Sequence, residues 1–340
     1  MIIQLDRALS EEQMAHIQAE IKALGYKHTE VRTQYGHYLV GIGKSEFDPR
    51  RIGALPGVRD IHMVTDAYQL VSKKWKVHPT QIDLGDGVFI GGRDLALMAG
   101  PCSIESEDQV RQTLAHLKAQ GIRIMRGGVY KPRSSPYSFR GLGIEGLKMW
   151  HRLAQAEGIK IITEVMQVSQ IEEMFDYVDI FQVGARNTQN FNLLDSLGEI
   201  DKPVLLKRGI SGTINELLQS AEYIFSGGNE RIMLCERGIR SYEGAYRNTM
   251  DINAIALLKE KSHLPVIADP SHGIGIRDFV EPVALASIMA GADGVIYETH
   301  PVPEKAFSDA QQTLSFDQSS ELTRKLNASS KLIQHNFQLA

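Results

Sequence analysis

Cysteine is scarce in this chain: only Cys102 and Cys235 occur among its 340 residues, too few for a disulfide framework. Both thiols are expected to be reduced, which suits a cytoplasmic location. No apolar run approaches the length of a membrane span. The N-terminal MIIQLDRALSEEQ has neither the basic flank nor the long apolar core of a secretory signal. Positive charge is also in short supply: the net charge of −4 argues against nucleic-acid binding, which calls for a basic stripe. What is left is an ordinary globular composition, 43% hydrophobic. The length suits two domains, or one large barrel with an appendage.

Against that acidic background one stretch stands out, KPRSSPYSF from Lys131 to Phe139. It follows IRIMRGGVY (Ile122 to Tyr130), an apolar alternating run that ends in Arg126 and two glycines. Arg offers a planar fork, Lys a point charge and Ser a short donor, the set that phosphates and carboxylates call for. Pro132 and Pro136 stiffen the loop, and Gly127 and Gly128 let backbone approach a ligand. A solvated basic surface loop is the plainer explanation, but such a run directly after a buried strand favours a binding loop.

The chain opens with a strand at IIQL (2–5) and a helix capped by Ser10, with Glu11 and Glu12 in its first turn. HTEVRTQY and HYLVGIG, split by Gly36, read as a hairpin. A short helical piece from Pro49 to Leu55 and a strand near Val58–Val64 complete β-α-β-β-α-β, the ferredoxin-like order. His16, His28 and His37 are expected at surface or turn positions. No catalytic constellation occurs here, so residues 1–66 are expected to form a folding, oligomerisation or effector-sensing domain. Residues 67–80 carry charge without a period and read as a linker. QIDLGDGVFIGG reads as a hairpin that introduces a second domain, 81–340.

From Leu95 short apolar strands alternate with amphipathic helices. The strands are LALMAGPC, IRIMRGG, IKIITEV, IFQVGAR, PVLLKRG, RIMLCERG, LPVIADPSH and GVIYETHP. Eight β-α units over roughly 245 residues predict an α/β fold, a (β/α)8 (TIM) barrel with the ferredoxin-like domain N-terminal to it. A doubly wound open sheet competes, but no Gly-x-Gly-x-x-Gly follows the first strand. Active-site groups of such a barrel cluster where the strands end. Here the strand ends carry Cys102, Arg126, Glu164, Arg186, Lys207 with Arg208, Glu236 with Arg237, Asp269 with His272, and Glu298 with His300. One charge at a strand end is routine; a ring of them must pay desolvation unless it meets a ligand.

The ring divides by chemistry. Arg126, Lys131, Arg133, Arg186, Lys207 and Arg237 would hold small polyanions. Cys102, His272, Glu298 and Asp309 suit a divalent transition metal. Each of the four has an ordinary structural role open to it, such as a buried small thiol or a helix cap; together at one end of a barrel they favour a metal. Cys235, within its strand, is expected in the core.

AGPCSIES (99–106), MRGGVYKPRSSPYSFRGLG (125–143), QVGARNTQNF (182–191), PVLLKRG (203–209), LCERGIRSYE (234–243), ADPSHG (268–273) and YETHPVPEKAFSDAQQTL (297–314) resemble 3-deoxy-D-arabino-heptulosonate-7-phosphate (DAHP) synthase. The likeness runs from about residue 80 to 320, and the N-terminal module looks like the ferredoxin-like (ACT-type) regulatory domain of some type I-beta members. The resemblance implies condensation of phosphoenolpyruvate with erythrose 4-phosphate, releasing phosphate, at the entry to the shikimate pathway. It implies Cys102, His272, Glu298 and Asp309 as ligands of a divalent ion (Mn2+, Fe2+, Zn2+ or Co2+). Arg126, Lys131 and Lys207 would hold the carboxylate side of phosphoenolpyruvate; Ala185, Arg186, Lys207 and Arg237 its phosphate. Asp269 joins the substrate contacts, and Arg133 and Ser134 would take the phosphate of the aldose. Many members have Thr where Ser134 stands, and the hydroxyl is kept. Lys131, or water at the metal, is the candidate acid, and Glu164 would orient the attacking water.

The resemblance also implies feedback inhibition by tyrosine or phenylalanine through the N-terminal domain, and a homotetramer. Two alternatives remain open. The sister 3-deoxy-octulosonate-8-phosphate synthase takes arabinose 5-phosphate, but typically shows Ala-Asn-Arg where this chain has Lys131-Pro132-Arg133. A non-catalytic amino-acid sensor would need neither the metal set nor the cations. A chorismate mutase appendage would be all-helical, which the hairpin at 28–43 opposes.

Overall fold

The computed structural model describes residues 1–43, 45–92, 94–131 and 137–337. Four strands, β1 (Ile2–Leu5), β2 (Lys27–Arg32), β3 (His37–Ile42) and β4 (Val58–His62), form an antiparallel sheet in the order β2-β3-β1-β4. The helices Glu11–Ala23 and Arg50–Gly53 complete the expected β-α-β-β-α-β order. Ser10 starts the first helix with a reciprocal cap: its Oγ accepts from Gln13 N at 3.2 Å, and Gln13 Oε1 accepts from Ser10 N at 3.0 Å. Successive strand residues face opposite ways, so Ile3 and Leu5 pack on Ile17, Ile21 and Ile52. Ile2, Tyr38 and Val40 belong to the larger core shared with the rest of the chain. His37 is buried rather than at the surface, because β3 is a central strand; its Nε2 lies 2.9 Å from Glu30 Oε1.

The segment expected as a linker is packed against the barrel. Tyr68, Leu70, Val71 and Trp75 are buried. The Glu222 carboxylate, on the helix Ile214–Ser226, accepts the backbone N–H groups of Gln69, Leu70 and Val71 at 2.9, 2.8 and 3.0 Å. His263 bridges Thr80 Oγ1 at 2.7 Å and Leu70 O at 2.8 Å. The N-terminal sheet adds Thr33 to Glu230 and Gln34 Nε2 to Asn229 Oδ1 at 3.4 Å. These partners precede a barrel strand, so the sheet rests on the face opposite the strand ends that carry the ring.

Eight parallel strands close the barrel: β7 (Ala96–Gly100), β8 (Ile124–Gly127), β9 (Lys160–Val165), β10 (Ile180–Val183), β11 (Val204–Lys207), β12 (Ile232–Glu236), β13 (Val266–Ala268) and β14 (Gly294–Glu298). Ahead of β7 in the chain, β5 (Ile82–Asp83) and β6 (Phe89–Ile90) form a hairpin whose Ile82, Val88 and Ile90 pack into the inward layer of the barrel. That layer comprises Met98, Ile124, Ile162, Ile180, Leu205, Met233, Cys235, Ile267 and Ile296. The intervening strand residues, such as Met125, Phe181, Leu206 and Leu234, face outward into the shell of helices. The seventh strand stops short of the expected LPVIADPSH. Asp269 caps a helix, Pro270–Ile274, by accepting from His272 N at 3.1 Å, and Pro270 at its first position cannot continue a ladder.

Candidate active site

Counting two residues onward from the apolar inward layer gives the site. Ile124 leads to Arg126, Ile162 to Glu164, Ile180 to Gln182 and Leu205 to Lys207. Cys235 leads to Arg237, Ile267 to Asp269 and Ile296 to Glu298. The polar ring is therefore the next inward layer, set by the strand period of two. Arg208 and Glu236, expected in the same ring, are out of phase: they face outward and pair with each other at 2.8 Å. His300 lies beyond the end of β14, with its Nε2 3.5 Å from Glu105 Oε2.

Inside the mouth is a cavity of about 240 Å³ walled by Arg126, Lys131, Arg186, Lys207 and Arg237, with Cys102, Glu164, Ala185, His272 and Asp309 also in its lining. Arg126 Nη1 donates to Glu298 Oε1 at 3.0 Å and to Pro101 O at 2.9 Å. Lys131 Nζ donates to Cys102 O at 2.6 Å, and Lys207 Nζ to Asp269 Oδ2 at 2.5 Å. Arg237 is buried, donates to Gly238 O at 3.1 Å and forms no ion pair among the described residues. Burial lowers its pKa, the mark of a cation lacking a close counter-charge. Arg186 is exposed at the rim. Glu164 lies over Gly184, where a Cβ would come within 2.0 Å of its Oε1, so any other residue there would shift that carboxylate. Asp269 belongs to the ring but does not line the cavity; it holds Lys207 and His272 in place. Arg133 and Ser134 lie outside the described residues.

Beside the cations, Cys102 Sγ and one oxygen each of Glu298 and Asp309 lie within 4.8 Å of one another. His272 borders this group, with Nε2 3.5 Å from Glu298 Oε1 and 3.8 Å from Asp309 Oδ2. Its Nδ1 is held by Asp269 Oδ2 at 2.8 Å, which leaves Nε2 as the free ring nitrogen. Although burial opposes it, the His272 imidazole and the Lys207 ammonium hold the Asp269 carboxyl well below the usual range. Burial and the Glu298 carboxylate push the Cys102 thiol up to about 11. Asp309 adopts φ 53°, rare for a non-glycine residue. Thiol, imidazole and two carboxylates crowded together fit a divalent first-row ion, whose charge would offset their mutual repulsion.

Gln182, Ile210, Arg240, Arg247 and Asn248 also line the cavity and were not anticipated. Gln182 carried a signal, a polar residue in phase with Ile180 in an otherwise apolar strand. Arg240, Arg247 and Asn248 stand in the long connection after β12, where no period indicates direction. Gln312 was missed too; its Nε2 donates to Glu298 Oε2 at 2.7 Å, and its Oε1 accepts from Arg247 at 2.6 Å.

Fold and site together define a class: a (β/α)8 barrel whose C-terminal mouth joins a cation-lined cavity to a group of side chains of the types that can hold a metal ion. Residues 75–335 match the DAHP synthetase I family, and the chain belongs to that family. It is 47% identical over 273 residues to phospho-2-dehydro-3-deoxyheptonate aldolase of Thermotoga maritima, covering 80% of each. It is 32% identical over 260 residues to 2-dehydro-3-deoxyphosphooctonate aldolase of Coxiella burnetii, covering 71% of this chain and 91% of that one. The crystal structure of the Thermotoga maritima DAHP synthase superposes with a TM-score of 0.78 at 40% identity, over 98% of this chain and 97% of the other.

Proposed function

We propose that the chain condenses phosphoenolpyruvate with D-erythrose 4-phosphate and water, giving 3-deoxy-D-arabino-heptulosonate 7-phosphate and phosphate. The observation that carries this reading is the inward ring itself: Arg126, Lys207 and Arg237 stand in phase with Glu164 and Glu298, beside Cys102 and His272. Family membership supports it, and identity to the heptonate enzyme exceeds that to the octonate enzyme.

Phosphoenolpyruvate is a masked enol, and its methylene carbon bonds to the aldehyde carbon of the aldose. Arg126, Lys131 and Lys207 hold its carboxylate, while Ala185, Arg186, Lys207 and Arg237 hold its phosphate. This fixes the attacking face and neutralises charge. Cys102, His272, Glu298 and Asp309 would hold a divalent ion, supplying Lewis acidity toward the aldehyde oxygen. Lys131 donates the proton that this oxygen takes up as the new carbon–carbon bond forms. Glu164 orients the water that adds at C2, after which the C2–O bond to phosphate breaks. Arg133 and Ser134 anchor the aldose phosphate.

In the same reading, residues 1–66 form an ACT-type domain, 67–80 its connection, and 81–340 the catalytic barrel. Tyrosine or phenylalanine binds the first and inhibits the last; the assembly is a tetramer working in the cytoplasm. The test is phosphate release with each aldose, with and without chelator. Chelator-sensitive release with erythrose 4-phosphate is the expected result. Faster release with arabinose 5-phosphate would transfer the assignment to the sister reaction, and no release with either would refute catalysis.

A further inference from the structure

Glu236 is fully buried on the outward side of β12, away from the cavity. Burial raises its pKa against the pull of Arg208. Stability alone does not explain such a pair, since apolar residues of similar volume commonly replace buried ion pairs at no loss. One of its oxygens is directed at a side chain and the other at backbone. Oε2 accepts from Arg208 Nη1 at 2.8 Å, and Oε1 accepts from Gly238 N at 2.7 Å and Asp251 N at 3.4 Å. Arg208 Nη1 also donates to Asp251 Oδ2 at 2.9 Å, and its Nε donates to Gly212 O at 3.0 Å. Asp251 in turn caps the helix Ile252–Lys261 through Ala254 N at 3.0 Å. One carboxylate therefore ties the connection leaving β11, the connection leaving β12 and the helix that follows it.

Arg237 lies between the residue that carries this carboxylate and the N–H that it holds. Gly238 has φ 81°, and a Cβ there would lie 2.9 Å from Asn248 Cβ and 3.0 Å from Gly273 O, so the chain leaves Arg237 through a narrow slot. The guanidinium of Arg237 has no acid partner to aim it among the described residues, only Gly238 O at 3.1 Å. Its direction is inherited from the backbone at 236–238. On the neighbouring strand, Arg208 N donates to Cys235 O at 2.9 Å, one residue after Lys207.

We propose that Glu236, acting through the Gly238 N–H and braced by Arg208, is a positioning residue that aims Arg237 at the phosphate of phosphoenolpyruvate. This rests on the reading that Arg237 holds that substrate. The test compares Glu236→Gln with a double variant, Arg208→Met with Glu236→Leu, which removes the pair without leaving a buried charge. Phosphoenolpyruvate binding to the metal-loaded full chain is measured by calorimetric titration, alongside KM for each substrate and Tm. Glu236→Gln is expected to weaken phosphoenolpyruvate binding about tenfold, the size of one lost charge-assisted hydrogen bond. KM for erythrose 4-phosphate should stay within about twofold, a shift too small to signal a lost contact. The double variant should recover Tm but not phosphoenolpyruvate affinity. Wild-type affinity in the double variant, or equal weakening of both substrates by Glu236→Gln, would overturn the proposal. Absence of turnover by the wild type would instead refute the condensation reading, while the titration would still decide positioning.

Discussion

Among the described residues, Glu164 is the carboxylate of the ring that lines the cavity without a charged partner drawn against it, next to Gly184. If it orients the water that adds at C2, Glu164→Gln should lower kcat by about 10²–10⁴-fold, the range for lost acid–base assistance. KM for phosphoenolpyruvate should hardly change; a raised KM at full kcat would mean a binding role. A second residue-scale expectation concerns His263, whose pKa burial lowers to about 3. The unfolded chain takes up a proton there below about pH 6.5, while the folded chain does so only near its own lower value. This group therefore removes stability as pH falls through that window, by about 1.4 kcal/mol per pH unit once the unfolded imidazole is charged. Urea unfolding of wild type and His263→Gln across pH 4–7 reads the difference; parallel pH dependences would contradict it. Individual residues were legible where strand phase fixed their direction, as for Arg126, Lys207 and Glu298. Glu236 and Arg208 have the same chemistry one residue out of phase, and a strand end quoted as a string does not separate the two faces.

At the scale of elements, the hydrophobic alternation gave the barrel strands and the N-terminal β-α-β-β-α-β order, because both are repeats of a period. Residues 67–80 have no period, and their burial comes from irregular backbone bound by distant side chains. Glu222 is the clearest case: it satisfies three consecutive N–H groups far from it in sequence. Glu222→Ala would leave those groups short of a partner and should cost about 3 kcal/mol, within the range for unpaired buried donors. Faster hydrogen exchange should then be confined to residues 67–75 and the sheet resting on them. Uniform exchange across the barrel would show instead that the clasp supports the whole fold. The connection after β12 was opaque for the same reason as the linker, and it is where Arg240, Arg247 and Asn248 were missed.

For the whole molecule, the N-terminal sheet meets the barrel at Asn229, Glu230 and the packed segment, on the side away from the ring. Removing residues 1–66 is therefore expected to leave an active barrel that no longer responds to tyrosine or phenylalanine; equal inhibition of the truncated chain would contradict the regulatory role. The grouping of cations on one side and of thiol, imidazole and carboxylates on the other was legible from residue types alone, whereas their contact through Asp269, Arg126 and Gln312 was not, since it joins residues far apart in the chain. The most direct measurement of the account is anomalous diffraction from crystals soaked in Mn2+ with phosphoenolpyruvate. The expected map has one strong peak bonded to Cys102, His272, Glu298 and Asp309, with the substrate phosphate against Arg186 and Arg237. A peak elsewhere, or those four side chains reaching no common ion, would contradict it.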